Sequence, residues 1–346
     1  MTKLCPYGTH RVIAPIGALP QSADVIDNTM NCLDNEILID VKTLNIDSAS
    51  FTQIKDACHN NEVEMISMIE SIVKKRGKMQ NPVTGSGGML LGVVKSIGSN
   101  LDVDLEVGDA IATLVSLSLT PLKIHKIKKL HLDKDQIDID GEAILFQTGI
   151  YAKIPNDLPA DIVLSALDVA GAPAQVAKLV KPGDNVLIIG AGGKSGVLCS
   201  YQARKSTGVK GHVYGLIYDE REYEDLFQLN VCDKIIVGDA RIPMDVYTNV
   251  MAASQQEKMD VTINVVNVPN TEMSSILPTK DSGIVYFFGM ATSFSKAALG
   301  AEGIKSEATM MIGNGYTSHH DQITLNLLRE SKQLYELFKK RYGSEN

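Results

Sequence analysis

The chain is poor in cysteine and carries no framework for disulfides. Cys5, Cys32, Cys58, Cys199 and Cys232 are odd in number, scattered, and include no CxxC pair. That pattern reads as reduced thiols in a cytoplasmic protein, not as a stapled secreted fold. Long apolar runs are missing too. The opening MTKLCPYGTHRVIAPIG has no segment suited to a signal peptide, and no uninterrupted apolar stretch reaches the length of a membrane span. Positive charge is in deficit: 33 Lys and Arg stand against 41 Asp and Glu, a net charge of −8. Such a surface does not draw phosphate backbones, so neither nucleic acid nor membrane is an expected partner.

What is present is the material of a two-domain globular protein. The 346 residues, 44% of them hydrophobic, exceed what one core usually serves. The first 150 residues read as mostly β. EILIDVKTL alternates apolar and polar residues with a period of two, and LLGVVKSIG and VGDAIATLVSL read as further strands between Gly and Asp turns. Glu62–Arg76 carries Met65, Ile66, Ile69, Ile72 and Val73 at helical spacing, which predicts one amphipathic helix in this β domain. From about Leu164 the rhythm changes to helix and strand in alternation. A helix is expected to Val180, then strands at Asn185–Gly190, His212–Ile217, Lys234–Val237, Asp260–Val266 and Gly283–Phe288, with helices between them. Such alternation means a doubly wound parallel sheet. The expected domains are 1–160, 161–293, and a segment 294–346 whose helix returns to the first lobe. A homodimer or dimer of dimers is expected, because Gly283–Phe288 is apolar and late in the sheet and, if it is the edge, would need pairing with its copy.

The strongest motif is NVLIIGAGGKSG. A buried strand turns into a helix through Gly190, Gly192, Gly193 and Gly196, with Lys194 and Ser195 opening the helix. Glycine permits the positive φ of the turn and the close approach of backbone to a pyrophosphate, and the helix start offers N–H groups to the phosphates. The third glycine falls one residue later than GxGxxG requires, but the surrounding βαβαβ rhythm supports a dinucleotide site. Asp219, closing HVYGLIYDE, fits the acid that bonds the adenosine ribose and repels a 2′-phosphate, which favours NAD over NADP.

A β-rich lobe followed by KPGDNVLIIGAGG resembles the medium-chain dehydrogenase/reductase superfamily over nearly the whole chain. The resemblance implies a GroES-like catalytic domain beside a Rossmann domain. It also implies a catalytic zinc in many members, but the matching positions here are Asp47, Gly88, Met89 and Ser165. Glycine and methionine cannot replace histidine and glutamate on such a metal, so no metal is expected. The segment VGDAIATLVSLSLTPLKIHK likewise lacks the cysteines of a structural zinc lobe.

More narrowly, CPYGTHRVIAP, LNIDSASFTQI and NPVTGSGGMLLG look like a zinc-free, amine-oxidising branch of the superfamily. This implies NAD-dependent oxidative deamination of a small diamino acid. Without zinc, a side chain must take the ammonium proton. Asp47, which the resemblance places beside the nicotinamide, is the first candidate, although Asp is also a favoured helix N-cap. Asp168 is the second, with the same alternative. Thr84 and Ser86 in their glycine turn, and Arg11, are candidates for the substrate carboxylate. His319 and His320 read as solvated residues. Two other classes remain open. A zinc-free enone or quinone reductase would need an apolar pocket, and a non-catalytic dinucleotide sensor would have a plugged one.

Overall fold

A computed structural model describes residues 4–313 and 315–343, and the elements below belong to those residues. The chain divides into two compact units, Met1–Asp168 and Val169–Asn346.

The first unit holds a short antiparallel pair, β1 (Val12–Ala14) and β2 (Val25–Ile26). Its main antiparallel sheet comprises β3 (Glu36–Asn45), β4 (Met89–Ile97), β5 (Ala110–Thr113), β6 (Leu122–His131), β7 (Gln136–Phe146) and β8 (Tyr151–Lys153). The order is β6-β7-β3-β4-β5-β8, so β3 is central and buried along most of its length. Two helices, α1 (Ser48–Ala57) and α2 (Glu62–Arg76), follow β3, where the sequence pattern pointed to one helix and a turn. α2 has its expected bounds, and local chemistry explains both ends. Asn61 accepts from Val63 N and Glu64 N, while Gly77 closes the helix at φ 75°. Met65, Ile69, Ile72 and Val73 enter the core with Ile39, Val41 and Leu44 of β3. The unit ends with α3 (Ala160–Leu167).

The second unit begins with α4 (Gly171–Leu179). One long helix to Val180 was expected, but the helix breaks after Leu167. A continuous helix would need an N–H from Pro173 for the Val169 carbonyl, and proline has none; in the first turn of α4 that lack costs nothing. Six parallel strands follow: β9 (Asn185–Ile189), β10 (His212–Ile217), β11 (Lys234–Val237), β12 (Met259–Asn264), β13 (Thr279–Phe287) and β14 (Thr309–Ile312). Between them run α5 (Lys194–Thr207), α6 (Arg221–Leu229), α7 (Pro243–Ala253), α8 (Glu272–Ile276) and α9 (Phe294–Gly303). The order β11-β10-β9-β12-β13-β14 reverses direction between β9 and β12, the switch point at which doubly wound sheets bind ligands. Val186, Leu187, Ile188 and Ile189 of β9 are fully buried, as a strand covered on both faces must be.

Two expectations about this unit are corrected. Gly283–Phe288 is not an edge, because β13 pairs with β12 on one side and β14 on the other. The segment from 294, expected as a separate piece, lies within the second unit. It supplies α9 and β14 to the parallel sheet, and its two last helices, α10 (His320–Glu330) and α11 (Lys332–Tyr342), pack on α4, α5 and α6. Thr324 Oγ1 donates to Ala170 O, and Lys205 and Glu330 form an ion pair at 2.8 Å.

Candidate functional site

The glycine turn at the end of β9 is built as a cradle. Gly190 has φ +88°, which only glycine adopts cheaply. A Cβ on Gly196 would lie 2.0 Å from Gly190 O, so the third glycine lets α5 start against the strand. A Cβ on Gly192 would lie 2.6 Å from the Glu222 side chain. Gly193 is the N-cap of α5 and makes no side-chain cap, so nothing on that residue competes for the N–H groups of the first turn. These features fit a dinucleotide pyrophosphate on the turn, with Lys194 and Ser195 in the first turn of the helix. Beside it lies a cavity of about 490 Å³ lined by Gly190, Gly193, Tyr218, Glu222, Asp239 and Arg241 among others.

Arg341, near the end of α11, reaches this turn. Its guanidinium donates to Gly192 O at 2.8 Å and to Asp225 Oδ2 at 2.8 Å. The Lys194 ammonium lies 5.8 Å from the centre of the Tyr342 ring. Sequence reasoning missed Arg341, because nothing local announces that a tail helix docks there. It also missed Tyr218, Glu222, Asp239 and Arg241. The signal available was GDAR directly after a strand, since the 3-2-1 order brings the ends of β10 and β11 together.

Asp219 does not line the cavity. Its carboxylate is held by Arg221, with Nε at 2.9 and 2.8 Å from its two oxygens, and it also accepts from Arg221 N. These contacts with Arg221 hold the carboxyl down at about 2. The side chain thereby fixes the entry to α6.

In the first unit Asp47, Ser50, Asn81, Thr84 and Ser86 form one cluster. Asp47 is the N-cap of α1, its Oδ1 accepting from Ser50 N at 3.0 Å. The second oxygen, Oδ2, is buried with no hydrogen-bond partner. The Ser50 and Thr84 hydroxyls are 2.5 Å apart, and Asn81 Nδ2 donates to Ser50 O. Thr84 Oγ1 also accepts from Ser86 N. Asp168 is the C-cap residue of α3, its N–H donating to Leu164 O.

Arg11 is not free to hold a substrate. It is 3% exposed, and Nε and Nη2 donate to the two oxygens of Glu36 at 2.8 and 2.6 Å. Its other donors meet Asp27, Thr29 O and Asn31 O. Burial alone would raise the Glu36 carboxyl, but Arg11 and His10 hold it below the usual range. Glu36 opens β3 and Asn45 closes it, so this ionic cluster lies about 30 Å along the strand from Asp47. His320 is also corrected: it is buried against Tyr316, and burial lowers its pKa. At the superfamily's zinc positions stand Asp47, Gly88, Met89 and Ser165. Among the described residues, no three His, Cys, Asp or Glu side chains converge to hold a metal.

Parallel sheet, glycine cradle and antiparallel lobe define the class: an oxidoreductase with the fold of the medium-chain dehydrogenases and reductases. A quinone oxidoreductase from Pseudomonas syringae pv. tomato shares that fold, with a TM-score of 0.56 at 15% identity, covering 93% of this chain and 86% of its own. The family described as the L-erythro-3,5-diaminohexanoate dehydrogenase N-terminal domain matches residues 10–155. Enzymes named L-erythro-3,5-diaminohexanoate dehydrogenase from Acetoanaerobium sticklandii and Fusobacterium nucleatum are 55% and 56% identical to it. They cover 98% and 99% of this chain, and 99% and 100% of their own lengths. The chain belongs to the L-erythro-3,5-diaminohexanoate dehydrogenase family.

Proposed function

We propose that the protein oxidises L-erythro-3,5-diaminohexanoate with NAD to 5-amino-3-oxohexanoate, ammonium and NADH, a step of anaerobic lysine degradation in the cytoplasm. The observation that carries this reading is the identity of 55–56% over essentially whole chains with enzymes named for that substrate. The fold alone does not separate it from a quinone reductase, since the likeness there is 15% identical.

The chemistry assigns work to particular groups. A C3 ammonium must lose a proton before the carbon can give up a hydride; NAD, when bound, would supply the hydride acceptor. Water then adds to the iminium, and ammonium leaves as the ketone forms. Asp47 is the proposed base. Its Oδ1 is committed to the N-cap, while Oδ2 has no partner in the protein and can accept a proton without breaking the cap. Thr84 and Ser86 are proposed to hold the carboxylate of the substrate through their hydroxyls alone, because the backbone groups of this turn are engaged within the loop and Thr84 also bonds Ser50.

Asp47→Asn keeps the cap and removes the base. Its kcat on 3,5-diaminohexanoate is expected to fall by about a hundredfold, the usual range for a lost general base, with NADH binding intact. An unchanged kcat with a raised KM would make Asp47 a binding group for the distal ammonium instead. Activity with simple β-amino acids or quinones but none with the diamino acid would sink the proposed substrate.

A homodimer is proposed as well, now through β14. This is one of the two edge strands of the parallel sheet, β11 being the other, and its Met310 and Ile312 are exposed. A monomer at micromolar concentration by light scattering would refute it.

A further inference from the structure

If Asp219 is bound to Arg221, another group must meet the adenosine ribose. The cavity beside the glycine turn offers two carboxylates, and they are not equivalent. Asp239 is paired with Arg241 through both of its oxygens, Nε lying at 2.9 and 3.1 Å and Nη2 at 2.7 Å. Each charge largely cancels the other. The Arg241 guanidinium also lies 5.8 Å from the Tyr218 ring centre, so the three side chains form one wall at the ends of β10 and β11. Glu222 stands apart from that wall. It is half-buried in the first turn of α6, and its side chain lies directly against Gly192. Of the charges that act on its carboxyl, Arg341 acts most strongly, while donating to Gly192 O and Asp225.

A ribose linked to a pyrophosphate held on this turn would lie beside the turn, toward the end of the second strand. A carboxylate touching Gly192 is therefore within reach of its hydroxyls. The same carboxylate repels a 2′-phosphate. The cation that would welcome such a phosphate, Arg241, is already neutralised by Asp239.

We propose that Glu222, not Asp219, accepts the hydrogen bonds of the adenosine ribose and turns away a 2′-phosphate, and that Asp239 keeps Arg241 from binding that phosphate. The proposal rests on NAD being the cofactor. In the sequence the selector sits five residues beyond the end of β10, on the helix rather than the strand. There a reading by spacing alone assigns the more obvious acid.

The test is direct titration of NADH and NADPH by fluorescence, with no substrate present, on the full-length protein and four variants. The unmodified protein should bind NADH more tightly; a preference for NADPH would overturn the NAD reading itself, before any variant is considered. Given that preference, Glu222→Gln should weaken NADH about tenfold, one charge-assisted hydrogen bond, and narrow the gap to NADPH. Glu222→Asp, with its carboxylate drawn back, should weaken NADH while still rejecting NADPH. Asp239→Asn should strengthen NADPH about tenfold and leave NADH within about twofold. Asp219→Asn should leave the ratio unchanged. If Glu222→Gln keeps the ratio of the parent while melting at the same temperature, the proposal is wrong. It is equally wrong if Asp219→Asn is the variant that shifts the ratio.

Discussion

At Gly190–Gly196 and at Gly85–Gly88 the chain turns through clustered glycines, yet it uses the missing side chains differently. The first turn opens on a cavity, and its glycines make room both for α5 and for the Glu222 side chain. The second turn is filled by its own protein. A Cβ on Gly87 would lie 2.2 Å from Met79 O, and one on Gly88 would lie 1.9 Å from Asn45 O. Asn81 N donates to Ser86 O and Gly85 N to Asn81 O, so backbone groups that a nest would turn toward an anion are engaged within the loop. Glycine-rich sequence is therefore two signals in one. Only what surrounds the turn tells a ligand cradle from a close-packed crossing of backbones.

A short series of glycine-to-alanine changes sharpens the contrast. The largest effect is expected at Gly196, where the new methyl meets Gly190 O and pushes the helix start off the strand. NADH should bind about a hundredfold more weakly, equivalent to about 2.7 kcal/mol. Binding within threefold of the parent, by fluorescence titration, would show that the pyrophosphate lies elsewhere.

Gly88 comes next. Its φ of +99° and its contact with Asn45 O predict a loss of about 2–3 kcal/mol in unfolding free energy for Gly88→Ala. Urea denaturation measures this, and NADH affinity of the folded protein should not change. A stable variant with weakened NADH binding would break the contrast drawn above.

The smallest effect belongs to Gly85. It too has positive φ, +73°, but nothing lies within 4 Å of the added carbon, so only the backbone penalty of about 1 kcal/mol is expected. A much larger loss in the same denaturation experiment would mean that the outer face of this turn is covered after all.

Much of the second unit was legible without a structure. The bounds of β10 and β11 follow from the sequence pattern, because hydrophobic period, capping residues and glycines act within a few positions of where they stand. The same holds for α2, whose Asn61 and Gly77 mark both ends. The glycine cradle was readable for that reason. The N-cap role of Asp47 was open from its place before SASFTQI and is what the structure shows at Oδ1; the orphaned Oδ2 was not foreseeable.

The sequence by itself determined the local elements, the two-part architecture and the position of the glycine-rich turn after β9, since each is a property of neighbouring residues. The tertiary structure decided which polar groups are spent and which are available. Arg11 pairs with Glu36 across 25 positions, and Arg341 reaches Gly192 across 149. β13 is interior because β14 follows it, which its own residues do not announce. Asp219 and Glu222 are both carboxylic acids three residues apart, yet one turns to Arg221 and the other to the glycine turn. The direction in which a side chain points depends on the partner that long-range packing brings beside it, and the strength of that pairing depends on how much water the same packing excludes.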